Sequence, residues 1–109
     1  MKFWLGLCCC LVLAISATAQ YKPDKGFVPD KATAIRIAEA VLTPAYGERV
    51  VLSERPYSAK LEKGVWTVTG TLWCVGAKGR PIKGTCEGGT AEVKISKSDG
   101  RILSMIHTK

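Results

Sequence analysis

The opening nineteen residues limit this chain more than any other feature. Lys2 is followed by a run from Phe3 to Ile15 with no polar side chain apart from Cys8, Cys9 and Cys10, and then by Ser16, Ala17, Thr18 and Ala19. A basic start, a short apolar core and a small-x-small ending form the pattern of a secretory signal peptide, with cleavage expected after Ala19. The apolar run is shorter than the roughly 20 residues that span a bilayer, and polar sequence follows at once, so no stable membrane anchor is expected. Cys8, Cys9 and Cys10 lie inside the apolar core with too little hydrophobic run before them for lipid attachment. The expected location is therefore the periplasm, and residues 20–109 must supply both fold and function.

Loss of residues 1–19 removes Lys2 and three of the five cysteines, leaving 15 basic against 9 acidic residues and a single cysteine pair. In an oxidising compartment an isolated pair reads as a disulfide, here Cys74–Cys86, in preference to two buried free thiols. A chain of about 90 residues supports one domain with one core, and such a small core gains much from a staple. The basic residues are scattered, without runs or interleaved aromatics that would serve as a stacking platform, so nucleic acid is not an expected partner. An acidic protein or an anionic surface fits an exported basic domain better.

Residues 20–28 carry charge, Pro23 and Gly26, and are expected to form a flexible leader before a domain over residues 29–109. Asp30 is a natural N-cap. From Lys31 to Leu42 apolar residues recur at Ala34, Ile35, Ala38, Val41 and Leu42, which predicts one amphipathic helix of about three turns, stopped by Pro44. Ala45-Tyr46-Gly47 then adds a turn or a short second helix. Val50-Val51-Leu52 reads as a short strand or linker, and Tyr57, Ala59 and Leu61 alternate with polar residues up to a turn at Lys63-Gly64. The return strand runs from Val65 to Cys74, with Trp66, Val68 and Leu72 facing inward and Trp73 outward. Residues 75–85 hold three glycines, Pro81, Lys78, Arg80 and Lys83, which is loop chemistry. A third strand places Ala91, Val93 and Ile95 inward. Ser98-Asp99-Gly100 turns the chain into a last strand, Arg101 to His107, apolar on both faces: Ile102 and Ile106 on one, Leu103 and Met105 on the other. The fold class is α+β, with one main N-terminal helix on a curved antiparallel sheet of about four strands.

Catalytic chemistry is hard to assemble from these residues. His107 is the only histidine and reads as an exposed polar residue, and one histidine with two oxidised cysteines provides no metal set. The carboxylates are spread singly, and their pairing in space is left open. No catalytic residue, metal or cofactor is assigned, and binding is the expected function. Its anchors are Trp73, the stapled basic loop with Lys78, Arg80 and Lys83, and the surface offered by Leu103 and Met105 on the last strand. The competing reading of Trp73 and the loop is an ordinary packed sheet residue and a solvated connection.

In order and spacing, several short motifs resemble the bacterial immunity proteins of the nuclear transport factor 2 fold, small partners of polymorphic toxins. They are Pro29-Asp30, Thr33-Ala34-Ile35, Ile37-Ala38-Glu39-Ala40, Pro44-Ala45-Tyr46-Gly47, Arg55-Pro56-Tyr57, Gly64-Val65-Trp66, Gly70-Thr71-Leu72, Gly88-Gly89 and Ser98-Asp99-Gly100-Arg101-Ile102-Leu103. The resemblance implies a noncatalytic protein that binds and blocks a cognate toxin, with a cystatin-like helix cradled by its sheet. The helix, the meander and the closing Asp-Gly-Arg-Ile-Leu are also similar to PepSY domains, which implies inhibition of an exported peptidase. A third alternative is a small exported enzyme of the same broad fold working through pocket carboxylates.

Overall fold

The computed structural model describes residues 18–109, so the expected signal peptide falls, but for its last two residues, outside the described part. Helix α1 spans Lys31–Tyr46. Asp30 caps it from an extended backbone, its carboxylate accepting the Thr33 backbone N–H at 2.8 Å and the Thr33 hydroxyl at 2.7 Å. These two bonds hold the Asp30 carboxyl below the usual carboxylate range, the hydroxyl contributing most. Ala34, Ala38 and Leu42, one helical turn apart, are the buried stripe of α1.

Contrary to expectation, Pro44 does not end the helix. It sits in the last turn, where the single carbonyl it leaves without a partner belongs to the exposed Ala40 and is free to bond water. Termination falls to Gly47, whose φ of 92° only glycine adopts without strain and whose N–H closes on the Thr43 carbonyl at 2.8 Å. A second helix, α2, follows at Glu48–Ser53 and takes in the Val50-Val51-Leu52 run that was expected to extend. Only Val51 of the three finds the core, so one inward residue in a single turn describes the run better than alternation does.

Strands β1 (Ser58–Glu62), β2 (Val65–Thr69), β5 (Ala91–Ser96) and β6 (Ile102–His107) form one antiparallel sheet in the order β1-β2-β5-β6. Lys63 and Gly64, with φ of 47° and 76°, make the tight turn between β1 and β2. Pairing sets Ala59 beside Val68, Trp66 beside Ile95 and Val68 beside Val93, and these residues face α1 in the core with Tyr57 and Ala91. The core also reaches back to Val28, which is fully buried. Its N–H donates to the Lys97 carbonyl at 3.0 Å and its carbonyl accepts the Trp66 indole N–H at 2.8 Å. Leu61, near the end of an edge strand, stays half exposed.

The strand expected from Val65 to Cys74 is in fact two. Gly70 still donates to Ala91, but Thr71 turns away, its N–H bonding the Glu54 carbonyl at 2.7 Å and its hydroxyl the Pro56 carbonyl. Leu72 thereby leaves the inward row. The chain re-forms a strand as β3 (Trp73–Val75), and the expected loop holds a 3-10 turn at Ala77–Gly79 and a partner strand β4 (Pro81–Lys83), together a separate two-stranded sheet. Proline is tolerated in β4 because it occupies the first position of a two-stranded edge. The disulfide Cys74–Cys86 forms, with its Cα atoms 5.6 Å apart.

The last strand also differs from simple alternation. Lys94 pairs with Ser104 but Ile95 with Ile102, so Leu103 is an extra residue in a bulge. Cross-strand partners share a face, so Met105, opposite Val93, and Ile102, opposite Ile95, lie on the helix side. Ile106, opposite Glu92, lies on the far side, where Leu103 lines a shallow cleft with Val65, Thr67 and Lys94. Leu103 and Met105 therefore occupy opposite faces.

Candidate protein-binding surface

The stapled hairpin β3–β4 presents a mixed apolar and cationic face. Register places Trp73 opposite Lys83 and Val75 opposite Pro81 on one side, with the buried Cys74 opposite Ile82 on the other. Val75 is 85 % exposed, an unusual position for a valine inside a strand. Lys78 and Arg80 stand at the tip. Trp73 is at the root: its indole N–H donates to the Arg55 carbonyl at 2.7 Å, and the Lys83 ammonium lies 5.8 Å from the ring centroid. Trp73, Lys78, Arg80 and Lys83 are thus brought onto one projection, while Leu103 and Met105 are on β6 of the main sheet. Val75 went unassigned in the sequence, where it had been absorbed into a loop. Its alternation with Trp73 across Cys74 is the signal that marks it.

A cleft of about 390 Å³ separates the hairpin root from the end of β6, lined among others by Glu54, Leu72, Trp73 and His107. Glu54 is only 7 % exposed. Its Oε1 accepts the Ala91 backbone N–H at 2.6 Å and its Oε2 lies 3.2 Å from His107 Nε2. His107 is correspondingly not a free polar residue: Nδ1 is 2.8 Å from the Thr108 carbonyl and the ring packs 5.4 Å from that of Tyr46. Both carboxylate oxygens are occupied in joining α2, β5 and β6, so the pair acts as a structural pin. Among the described residues no group of three histidine, cysteine, aspartate or glutamate side chains could hold a metal ion.

Near the same end of α2, Arg55 makes a two-pronged ion pair with Glu39, at 2.9 and 2.7 Å, tying the segment after α2 to α1. The hairpin root therefore rests, through the Arg55 carbonyl, on a segment fixed at both ends. A contact surface carried on such a base loses little entropy when it binds.

A helix laid on a four-stranded antiparallel sheet, with a stapled side hairpin, defines a small α+β domain. The chain belongs to the family described as NTF2 fold immunity protein, whose model matches residues 33–109. It is also 31 % identical over 85 residues to the Escherichia coli (strain K12) protein named "Uncharacterized protein YhhH", an alignment covering 78 % of this chain and 60 % of that protein. The chain thus spans about 60 % of that relative's length. No solved structure matches it.

Proposed function

We propose that this chain is an exported, noncatalytic immunity protein that acts in the periplasm, neutralising a cognate toxin by covering a surface the toxin needs. Membership of the immunity family supports the toxin as partner. The single observation that carries the mode of action is the stapled hairpin, where the apolar Trp73, Val75 and Pro81 stand in one row beside Lys78, Arg80 and Lys83. Apolar anchors ringed by cations suit a shallow apolar pocket with an acidic rim. The disulfide supports an oxidising location, since a bond closing so short a loop persists where thiols are not kept reduced.

The test is co-expression with a secreted toxin sought among the neighbouring genes, both partners being exported. Wild-type chain is expected to rescue growth and to bind the purified toxin. The combined Trp73→Ala, Arg80→Glu and Lys83→Glu variant is expected to bind at least about a hundredfold more weakly, because charge reversal adds repulsion to the lost contacts. Unchanged affinity would move the interface elsewhere. Inhibition of a neighbouring peptidase in place of a toxin would overturn the immunity reading itself.

A further inference from the structure

The two edges of the main sheet are not alike. Edge strand β1 (Ser58–Glu62) carries Lys60 and Glu62, and charges of this kind block pairing with other chains. Edge strand β6 has no charged side chain before His107 and no proline, and Ile102, Leu103, Met105 and Ile106 are all between 37 and 46 % exposed. Among the described residues no strand pairs with its outer edge. The Thr108 N–H donates to the Thr90 carbonyl, so by the alternation of an antiparallel ladder the amides of His107 and Met105 point away from β5. The outer edge therefore offers both backbone hydrogen bonds and apolar side chains on either face.

We infer that β6 takes up an extended segment of a protein partner as a fifth strand, and that this segment is apolar in its middle and acidic at both ends. Charge decides the occupant. Arg101 precedes β6 and Lys109 follows it, and Lys25, Lys63 and Lys97 stand with Arg101 around the cleft at the sheet's turn end, where Asp24 is the one acid and the Lys97 ammonium donates to the Lys25 carbonyl. Asp99 offsets Arg101 only loosely, at 3.8 Å. A second copy added antiparallel to the same edge in the register centred on Met105, which pairs the two strands over their full length, would bring Arg101 of each chain against Lys109 of the other, repelling at both ends of the ladder. An acidic-ended segment meets attraction at both ends and still satisfies the free amides.

The inference rests on reading the chain as a protein-binding module, but it is separable from the hairpin interface. The probe is a short synthetic peptide of alternating valine and threonine with paired aspartates at both ends. It is compared with a lysine-ended version and with an aspartate-ended version N-methylated at alternate residues. The expected result is binding by the first alone, at least about tenfold tighter than either control, with slowed hydrogen exchange at the Met105 and His107 amides. Met105→Pro removes an outward N–H without touching the β5 ladder and is expected to abolish binding, whereas Met105→Ala, which loses the same side chain but keeps the N–H, retains it. Equal binding of the aspartate- and lysine-ended peptides, no binding at all, or binding that survives Met105→Pro overturns the inference, as does concentration-dependent dimerisation of the protein through β6. Absence of peptide binding by wild-type protein that still neutralises the toxin leaves the immunity reading standing, and only the strand addition falls.

Discussion

Glu54 joins parts of the chain that no local pattern connects. Its backbone carbonyl holds Thr71, its Oε1 the start of β5 and its Oε2 the end of β6. A Cβ on Gly70 would lie 2.7 Å from Glu54 Oε1 and 2.9 Å from its Cβ, so the glycine is there to admit the carboxylate. Removing the charged acceptor leaves the Ala91 N–H buried without a partner, and Glu54→Ala is expected to cost about 3 kcal/mol in urea unfolding. Gly70→Ala is expected to cost about 2 kcal/mol through the clash. The double variant should cost somewhat less than the sum, because deleting the carboxylate removes the nearer of the two Glu54 atoms that the new methyl strikes, while Glu54 Cβ stays in place at 2.9 Å; strict additivity would show that the carboxylate contact does not limit stability. None of this was legible in the sequence. Glu54 read as one acid among several spread singly and His107 as an exposed polar residue, which it is, but their contact was hidden because 53 positions separate them.

Tyr57 gives a second test at the same scale. Burial, with the nearby Glu54 charge adding to it, pushes its phenol up to about 12, while the O–H donates to the Val51 carbonyl at 3.0 Å. A folded-state value above the unfolded value near 10 means that the native state holds its proton more tightly. The stability this confers is complete below pH 10 and is lost as pH rises towards 12. Wild-type protein should therefore show a fall in thermal midpoint over that window, and Tyr57→Phe, less stable at neutral pH by the lost hydrogen bond, should show a shallower one. Parallel curves would place the alkaline sensitivity elsewhere.

Among the elements, those with strong period were legible and those shaped by distant contacts were not. The α1 stripe, the β1–β2 turn and the inward row of β5 follow from spacing alone. Pro44, α2, the break at Gly70 and the Leu103 bulge depend on exposure, on Glu54 and on β5, none of which lies within the local window. The hairpin β3–β4 was hidden because glycine and proline mark turns and short edge strands alike. Its staple, by contrast, was readable from cysteine count. The bond spans a separation of 12 residues, worth about 3 kcal/mol in loop entropy. Cys74 is buried yet lies outside the main core cluster, so this contribution should be local. Reduction, or Cys74→Ser with Cys86→Ser, is expected to speed amide exchange at Gly76 and Gly84 by at least about tenfold and to leave Val68 and Val93 unchanged. A uniform loss of protection would make the hairpin part of the cooperative core.

At the scale of the whole molecule, charge and shape point the same way. Formal charge over the full sequence is +7. The cations are spread in sequence, but some gather in space at two places, the hairpin tip with Lys78 and Arg80 and the turn end of the sheet with Lys63, Lys97 and Arg101. Sequence reading could see the excess but not its clustering, since Lys63 and Lys97 meet only when β1–β2 and β5–β6 turn at the same end of the sheet. Exposed charges of this kind steer encounter more than they hold a finished complex. Association with an acidic partner should therefore slow by about tenfold between roughly 0.05 and 0.5 M salt, while dissociation, which the proposed interface assigns to the apolar contacts of Trp73 and Val75, changes far less. Stopped-flow mixing with the purified toxin separates the two rates. A salt effect confined to dissociation would mean that the lysines and arginines are desolvated within the interface, and the steering role assigned to them would be wrong.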